Sequence, residues 1–351
     1  MMRIPTLLIV CAILISCNRN TKIKTEIEAK KIERNNPSNV NQSDAENGIV
    51  FFSDNNGNTW KNKSKGLPDN VNTGLGSIAV SEDLLGIAIK EEGIFLFDFQ
   101  KDIWVKTPTD DQIIKSNIGP LAFFNGQIFV GTEKRGVFST KDSGKNWINY
   151  DAGLASPTIR KLIQIDNKLY AGTNSGLYTF NETDKKWELE YGNSKMQVNG
   201  MTDFDGSIYI GTNQGAFATV KGEKKWKQIL ANRTLHNISS GDNTIYAMVY
   251  NELLSSKDKG ESWQNIQNGL PKELYTFNIF ENGKTVFAGQ WDGVYRKDNS
   301  NDNWKSYSFG LPGNLAITNM NIYQGIIVVS GNHRELKKGM TTDKWLSYNN
   351  L

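Results

Sequence analysis

Eight of the nine tryptophans fall at a near-constant spacing. They are Trp60, Trp104, Trp147, Trp187, Trp226, Trp263, Trp304 and Trp345, at intervals of 44, 43, 40, 39, 37, 41 and 41 residues. A period near forty constrains the fold more than any single motif, because one such unit cannot bury its own apolar face and has to stack against copies of itself. Three of these tryptophans close the same short phrase. It reads Ser256, Asp258, Gly260, Trp263; then Thr140, Asp142, Gly144, Trp147; then Ser53, Asn55, Gly57, Trp60, with Asn in place of Asp. In each, the hydroxyl and the carboxylate or amide can hydrogen-bond the turn's own amides, the glycine allows φ > 0, and the indole anchors the returning strand. The phrase predicts a β-hairpin turn.

The remainder of each period parses as three more short strands. In one clean copy, residues 160–165 form an innermost strand and Asp166 and Asn167 a turn. Residues 168–173 form a second strand, 177–180 a third, and 186–189 an outer one carrying Trp187. Residues 128–132, 208–212 and 286–290 repeat the second-strand phrase. Alternation of apolar with small or polar residues suits strands packed between neighbouring sheets. Gly-Leu-Pro at residues 66–68, 269–271 and 310–312, with Gly-Leu-Ala at 153–155, marks the crossing from one repeat's rim to the next repeat's centre. Together these features predict an all-β chain: a single β-propeller of four-stranded blades spanning residues 48–351, with seven blades and eight as the alternative. Residues 48–64 supply only two strands. They are expected to complete the last blade, displacing part of residues 334–340.

The S/T-x-D-x-G-x-x-W phrases, the Gly-Leu-Pro crossings and the period together resemble the Asp-box, or BNR, repeat of sialidase-like propellers. The wider clan includes a photosystem II assembly factor, sortilin-type ectodomains and xyloglucanases. The resemblance covers about residues 48–351, and it implies the fold rather than an activity. It also implies a structural role for Ser53, Asn55, Gly57, Trp60, Thr140, Asp142, Gly144, Trp147, Ser256, Asp258, Gly260 and Trp263 at the blade edge, with no catalytic or calcium-binding duty.

Residues 1–16 read as a secretion leader, with Arg3 ahead of an apolar run that is too short to span a bilayer. The run ends in Leu14, Ile15, Ser16 and Cys17, which resembles a bacterial lipobox and implies lipidation at Cys17. Residues 17–47 then form a polar tether. Asn rather than Asp follows Cys17, so the usual inner-membrane retention signal is missing, and the resemblance to bacterial lipoproteins implies an outer-membrane destination in the cell envelope. Cys11 and Cys17 are the only cysteines, which leaves the folded part without a disulfide.

Forty basic residues against 37 acidic ones argue against a nucleic-acid partner. Two histidines, His236 and His333, make a histidine-built metal site improbable. No metal, cofactor or catalytic residue is predicted. The Arg-Ile-Pro motif of sialidases occurs only at residues 3–5, inside the leader, and the arginines of the propeller (Arg135, Arg160, Arg233, Arg296 and Arg334) lie in no such motif. A xyloglucanase-type hydrolase needs two facing carboxylates, and Asp203, Asp205 and Asp292 show no pairing by spacing. What remains is binding through the loops that join second and third strands. Trp291 is the one tryptophan out of register, and with Asp292, Tyr250, Arg135, His333 and Arg334 it forms the candidate binding set. Alternatively, Trp291 plugs the channel mouth or packs on a neighbouring blade. The expectation is a monomeric, membrane-anchored, non-catalytic propeller that binds a protein or a glycan. A carbohydrate-active hydrolase and an assembly factor for a membrane complex stand as alternatives.

Overall fold

The computed structural model describes residues 47–69, 71–220, 223, 225–271, 275–298 and 303–334. The leader, Cys17, residues 18–46, residues 335–340 and Trp345 lie outside these residues. The described strands form seven four-stranded antiparallel sheets, the blades of a seven-bladed β-propeller. Blade 1 comprises Thr73–Val80, Leu85–Ile89, Gly93–Asp98 and Ile103–Thr107, and the innermost strands of blades 2 to 6 begin at Ile118, Ile159, Val198, Leu235 and Thr276. In blade 7 the strands Leu315–Tyr323 and Ile326–His333 come from the chain's far end, and Val50–Ser53 and Lys61–Asn62 from its start. Val50 pairs with Ser330 and Ser53 with Ile327, so the early hairpin closes the ring as the strand count predicts.

Packing between blades is apolar. Second strands such as Ile128, Phe129 and Val130, or Leu169, Tyr170 and Ala171, are buried on both faces, as the middle of a stacked sheet has to be. The innermost strands of successive blades pack side by side, blade 7 against blade 1 included.

The rim tryptophans fasten this packing with one hydrogen bond each. The indole N–H of Trp104 donates to Lys63 O at 2.6 Å, Trp147 to Pro108 O at 3.0 Å, and Trp187 to Tyr150 O at 2.9 Å. Trp263 donates to Ile229 O at 2.9 Å, Trp304 to Ile266 O at 2.6 Å, and Trp60 to Tyr307 O at 2.7 Å. Every acceptor lies on or just beyond the outer strand of the preceding blade. Trp226 is the exception: its Nε1 is buried without a partner, and its ring stacks on Tyr191 at 4.7 Å.

The Gly-Leu-Pro crossings lock into the same joints. The residue before each glycine accepts from the tryptophan's main-chain N–H: Lys65 from Trp104, Ala152 from Trp187, Asn268 from Trp304 and Phe309 from Trp60. Gly66, Gly153, Gly269 and Gly310 all have φ near +90°, and a Cβ on any of them would collide with the carbonyl oxygen of that tryptophan. Glycine is therefore required on both counts.

The three repeated turns behave alike. Ser256 Oγ donates to Asp258 Oδ1 at 2.8 Å and accepts from Gly260 N at 2.8 Å, while Asp258 Oδ1 also accepts from Ser262 N at 2.9 Å. Thr140 and Asp142 repeat the pattern with Gly144 and Asn146, and Ser53 and Asn55 with Gly57 and Thr59.

Candidate functional site at the channel mouth

The innermost strand of every blade shifts register near its start, in five of them by a single residue. The register shifts between Ile159 and Lys161, Val198 and Gly200, Leu235 and Asn237, Thr276 and Asn278, and Ile317 and Asn319. The residues left out of the ladder are Arg160, Asn199, His236, Phe277 and Thr318. In blades 1 and 2 the irregular stretch is longer, between Thr73 and Ile78 and between Ile118 and Leu121, and contains Gly74, Leu75, Gly76, Gly119 and Pro120. A bulge bends its strand and re-aims a side chain. The shifts lie side by side around one mouth of the channel, where Arg160, Asn199 and His236 line the opening while Phe277 and Thr318 are buried.

On one arc of that ring, amides tie the blades together from the inside. Asn199 Nδ2 donates to Leu235 O at 2.7 Å, Asn237 to Phe277 O at 3.1 Å, Asn278 to Thr318 O, and Asn319 to Gly74 O at 3.0 Å. Blades 1 and 2 present glycine and proline instead. Nothing lies within 4 Å of a Cβ built on Gly119, and this missing side-chain volume opens a cavity of about 550 Å³.

The cavity has two kinds of wall. One is apolar: Leu75, Pro120 and Tyr275, backed by a cluster of Phe277, Ala316 and Trp291. The other is polar and mostly cationic, with Lys90, Lys134 and Arg160 against a single carboxylate, Glu133. Glu133 is held by Lys90 at 3.0 Å and by Asn117 Nδ2 at 2.9 Å. Burial pushes its carboxyl up, but these two donors outweigh burial and leave it below the ordinary value. Arg160 Nε donates to Asn174 Oδ1 at 2.7 Å and its Nη2 to Gln197 Oε1 at 3.1 Å. Burial lowers the Arg160 pKa, and the charge of Glu133 partly offsets this.

His236 Nδ1 lies 2.8 Å from the Tyr275 hydroxyl, while its Nε2 is buried without a partner. Burial brings the His236 pKa down to about 4, so the ring is neutral at physiological pH. At the far end of the channel a second hollow of about 600 Å³ is lined by Lys161, whose amine burial also holds below the ordinary lysine value.

The residues expected from the sequence to bind a partner occupy several places. Tyr250 is 40% exposed, with its ring 6.2 Å from both His236 and Tyr275. Trp291 packs in the cluster behind the apolar wall, with the Arg334 guanidinium 4.3 Å over its ring. Asp292 accepts from the Tyr295 hydroxyl at 3.0 Å, and burial raises its pKa. Arg334 is buried and donates from Nη2 to Gly313 O at 2.9 Å. Arg135 lies away from the mouth, in a hollow beside Trp147, bonded to Gln112 at 3.1 Å. His333 Nε2 contacts Gly48 O at 3.0 Å, joining the chain's two ends in blade 7.

Arg160, His236 and Tyr275, which line the cavity, were not in that set, yet a sequence signal for the bulge positions exists. Ser77, Pro120, Arg160, Asn199, His236 and Phe277 each lie 27 residues before a rim tryptophan, and Thr318 lies 27 before Trp345, which is outside the described residues. The spacing that marks the blades also indexes the mouth.

Among the described residues no helix is long and apolar enough to cross a membrane, and no group of three or more His, Cys, Asp or Glu could hold a metal ion. No protein-family model and no curated protein matches the chain. Solved structures do resemble it. The extracellular domain of the hybrid two-component system BT4673 from B. thetaiotaomicron has a TM-score of 0.59 at 20% identity, over 72% of this chain and 38% of that one. YCF48 bound to D1 peptide gives 0.59 at 11% identity, over 76% and 99%. BamB from Moraxella catarrhalis gives 0.52 at 10% identity, over 74% and 85%. At these identities the likeness is one of fold.

Proposed function

We propose that this protein is a membrane-anchored, non-catalytic binding propeller, tethered through lipid on Cys17 in the bacterial cell envelope, which takes a protein or glycan partner at the bulge-ringed mouth. The observation that carries this reading is the mouth itself: a two-walled cavity, framed by seven bulged strands, at the loop face. Its lining offers a hydrolase one carboxylate, Glu133, already bonded to Lys90 and Asn117, where glycoside hydrolysis takes two. That favours binding over the carbohydrate-active alternative. Among the similar propellers, one is seen with a peptide bound, which keeps a role in assembling a membrane complex as the second reading. Of the set read from the sequence, Tyr250 is exposed beside His236 and Tyr275 and would border the partner, Trp291, Asp292 and Arg334 would support the wall from behind, and Arg135 and His333 lie farther from it. The three S/T-x-D/N-x-G-x-x-W turns serve as structural Asp-boxes.

The test uses a plug. Gly119→Trp fills the cavity from a position where a Cβ has no heavy atom within 4 Å. Partners captured from envelope fractions or on a glycan array by the wild type are expected to be lost with Gly119→Trp. Retention of every partner by the plugged protein refutes the mouth as the site. Cys17→Ala is expected to move the protein from the membrane to the soluble fraction.

A further inference from the structure

We infer that the group recognised at the mouth is the carboxylate of an acidic sugar, a hexuronate unit, held by Arg160; this rests on the mouth being the binding site. Arg160 is a half-buried cation in the cavity lining that hydrogen-bonds neutral groups alone among the described residues. Lys90 is paired with Glu133, whereas Arg160 bonds two neutral amides, Asn174 and Gln197. Its guanidinium is a forked donor that suits a planar carboxylate, and partial desolvation strengthens such a bond.

The amides point to the rest of the ligand. Asn174 and Gln197 turn their oxygens to Arg160, which leaves their NH₂ groups as the free ends. With Lys134 added, the polar wall is rich in donors, so a matching ligand is rich in acceptors. Sugar hydroxyls beside a carboxylate meet that need. A peptide main chain brings a fixed N–H donor with every carbonyl, whereas a sugar hydroxyl can turn its O–H aside and present its lone pairs to such a wall. Leu75, Pro120 and Tyr275 in the same lining offer an apolar surface to the C–H face of a pyranose ring. A cavity of about 550 Å³ is large enough for a sugar unit or two.

The experiment is isothermal titration of the full chain with a galacturonate trisaccharide and a glucuronate trisaccharide, each against its neutral counterpart carrying a hydroxymethyl group. The expected result is that at least one uronate binds about tenfold or more tighter than its counterpart. Arg160→Gln should abolish that preference, and Arg160→Lys, which keeps charge but not the fork, should retain part of it. Thermal unfolding confirms that both variants are folded. The inference is overturned if neither uronate binds, if acidic and neutral sugars bind alike, or if Arg160→Gln keeps the preference. Gly119→Trp separates the two levels. Loss of some other partner on plugging, together with no uronate binding by the wild type, removes the acidic-sugar inference and leaves the mouth in place. Uronate binding that survives the plug removes both.

Discussion

Trp104→Phe and Trp226→Phe make the same chemical change at two equivalent rim positions with different surroundings. Trp104 is 2% exposed, packs 5.1 Å from Phe97, and donates to Lys63 O across the joint where the chain's start meets blade 1. Phenylalanine there removes a hydrogen bond with a net value of about 0.5–1.5 kcal/mol. It also gives up the five-membered ring's packing, roughly 1–2 kcal/mol with the residual cavity. The sum is about 1.5–3.5 kcal/mol. Trp226 is only partly buried, and its N–H has no partner to lose. Substitution there costs packing alone, about 1 kcal/mol or less, because removing an unpartnered buried donor returns some free energy. Urea unfolding followed by far-UV circular dichroism should show the Trp104→Phe midpoint clearly lower at unchanged slope, with Trp226→Phe near wild type. Equal losses at the two sites, or a Trp104→Phe protein as stable as wild type, would refute the idea that indole hydrogen bonds hold the blades together.

Two further outcomes follow from the turns and joints. The carboxyls of Asp142 and Asp258 are held at about 2, chiefly by hydrogen bonds from the side chains of Asn146 and Ser262, against an ordinary value of 3.8. Their folded-state pKa is depressed, so the stability they lend is complete above about pH 4 and fades as pH falls through about 2. Asp142→Asn combined with Asp258→Asn should flatten the acid limb of a stability–pH curve over that window, while the Asn55 turn contributes no titration. Gly153→Ala forces a Cβ into the Trp187 carbonyl at φ +89° and should cost roughly 2–4 kcal/mol in denaturant titrations. Gly119→Ala, with open space around its Cβ, should stay within about 0.5 kcal/mol of wild type.

The fold was legible because its determinants are local and repeated. A hydroxyl, a carboxylate and a glycine within five residues specify the turn, and an indole three positions on sets the joint, so the pattern survives without knowledge of neighbours. Ring closure was partly legible: the two spare strands of residues 48–64 pointed to a shared last blade, with eight blades as the alternative, and the pairing of Val50 with Ser330 decides for seven. The mouth was much less so. A bulge advances the side-chain alternation by one, so Arg160 and Lys161 read as consecutive residues of a regular strand although one lies outside the ladder. Trp291 drew attention as the aromatic out of register, yet its ring packs behind the apolar wall beneath Arg334. Tyr275, in the residue just before an inner strand, gave no comparable signal.

The position 27 residues ahead of each rim tryptophan separates what holds the ring from what the ring presents. At the rim, six of the seven described joints use the same indole-to-carbonyl bond, and substitution there is paid in stability. Near the mouth the corresponding positions hold Ser77, Pro120, Arg160, Asn199, His236, Phe277 and Thr318; Pro120, Arg160, Asn199 and His236 line the cavity, whereas Ser77, Phe277 and Thr318 are buried. The lining positions differ in side chain over a similar backbone, a freedom on which the proposed binding role would draw. The amide ties at Asn199, Asn237, Asn278 and Asn319 restrict that freedom to part of the circle. The arc from Gly74 through Gly119 to Arg160 has no such tie, and that is where the cavity lies. Changes in this arc should therefore alter what binds before they alter how firmly the propeller folds.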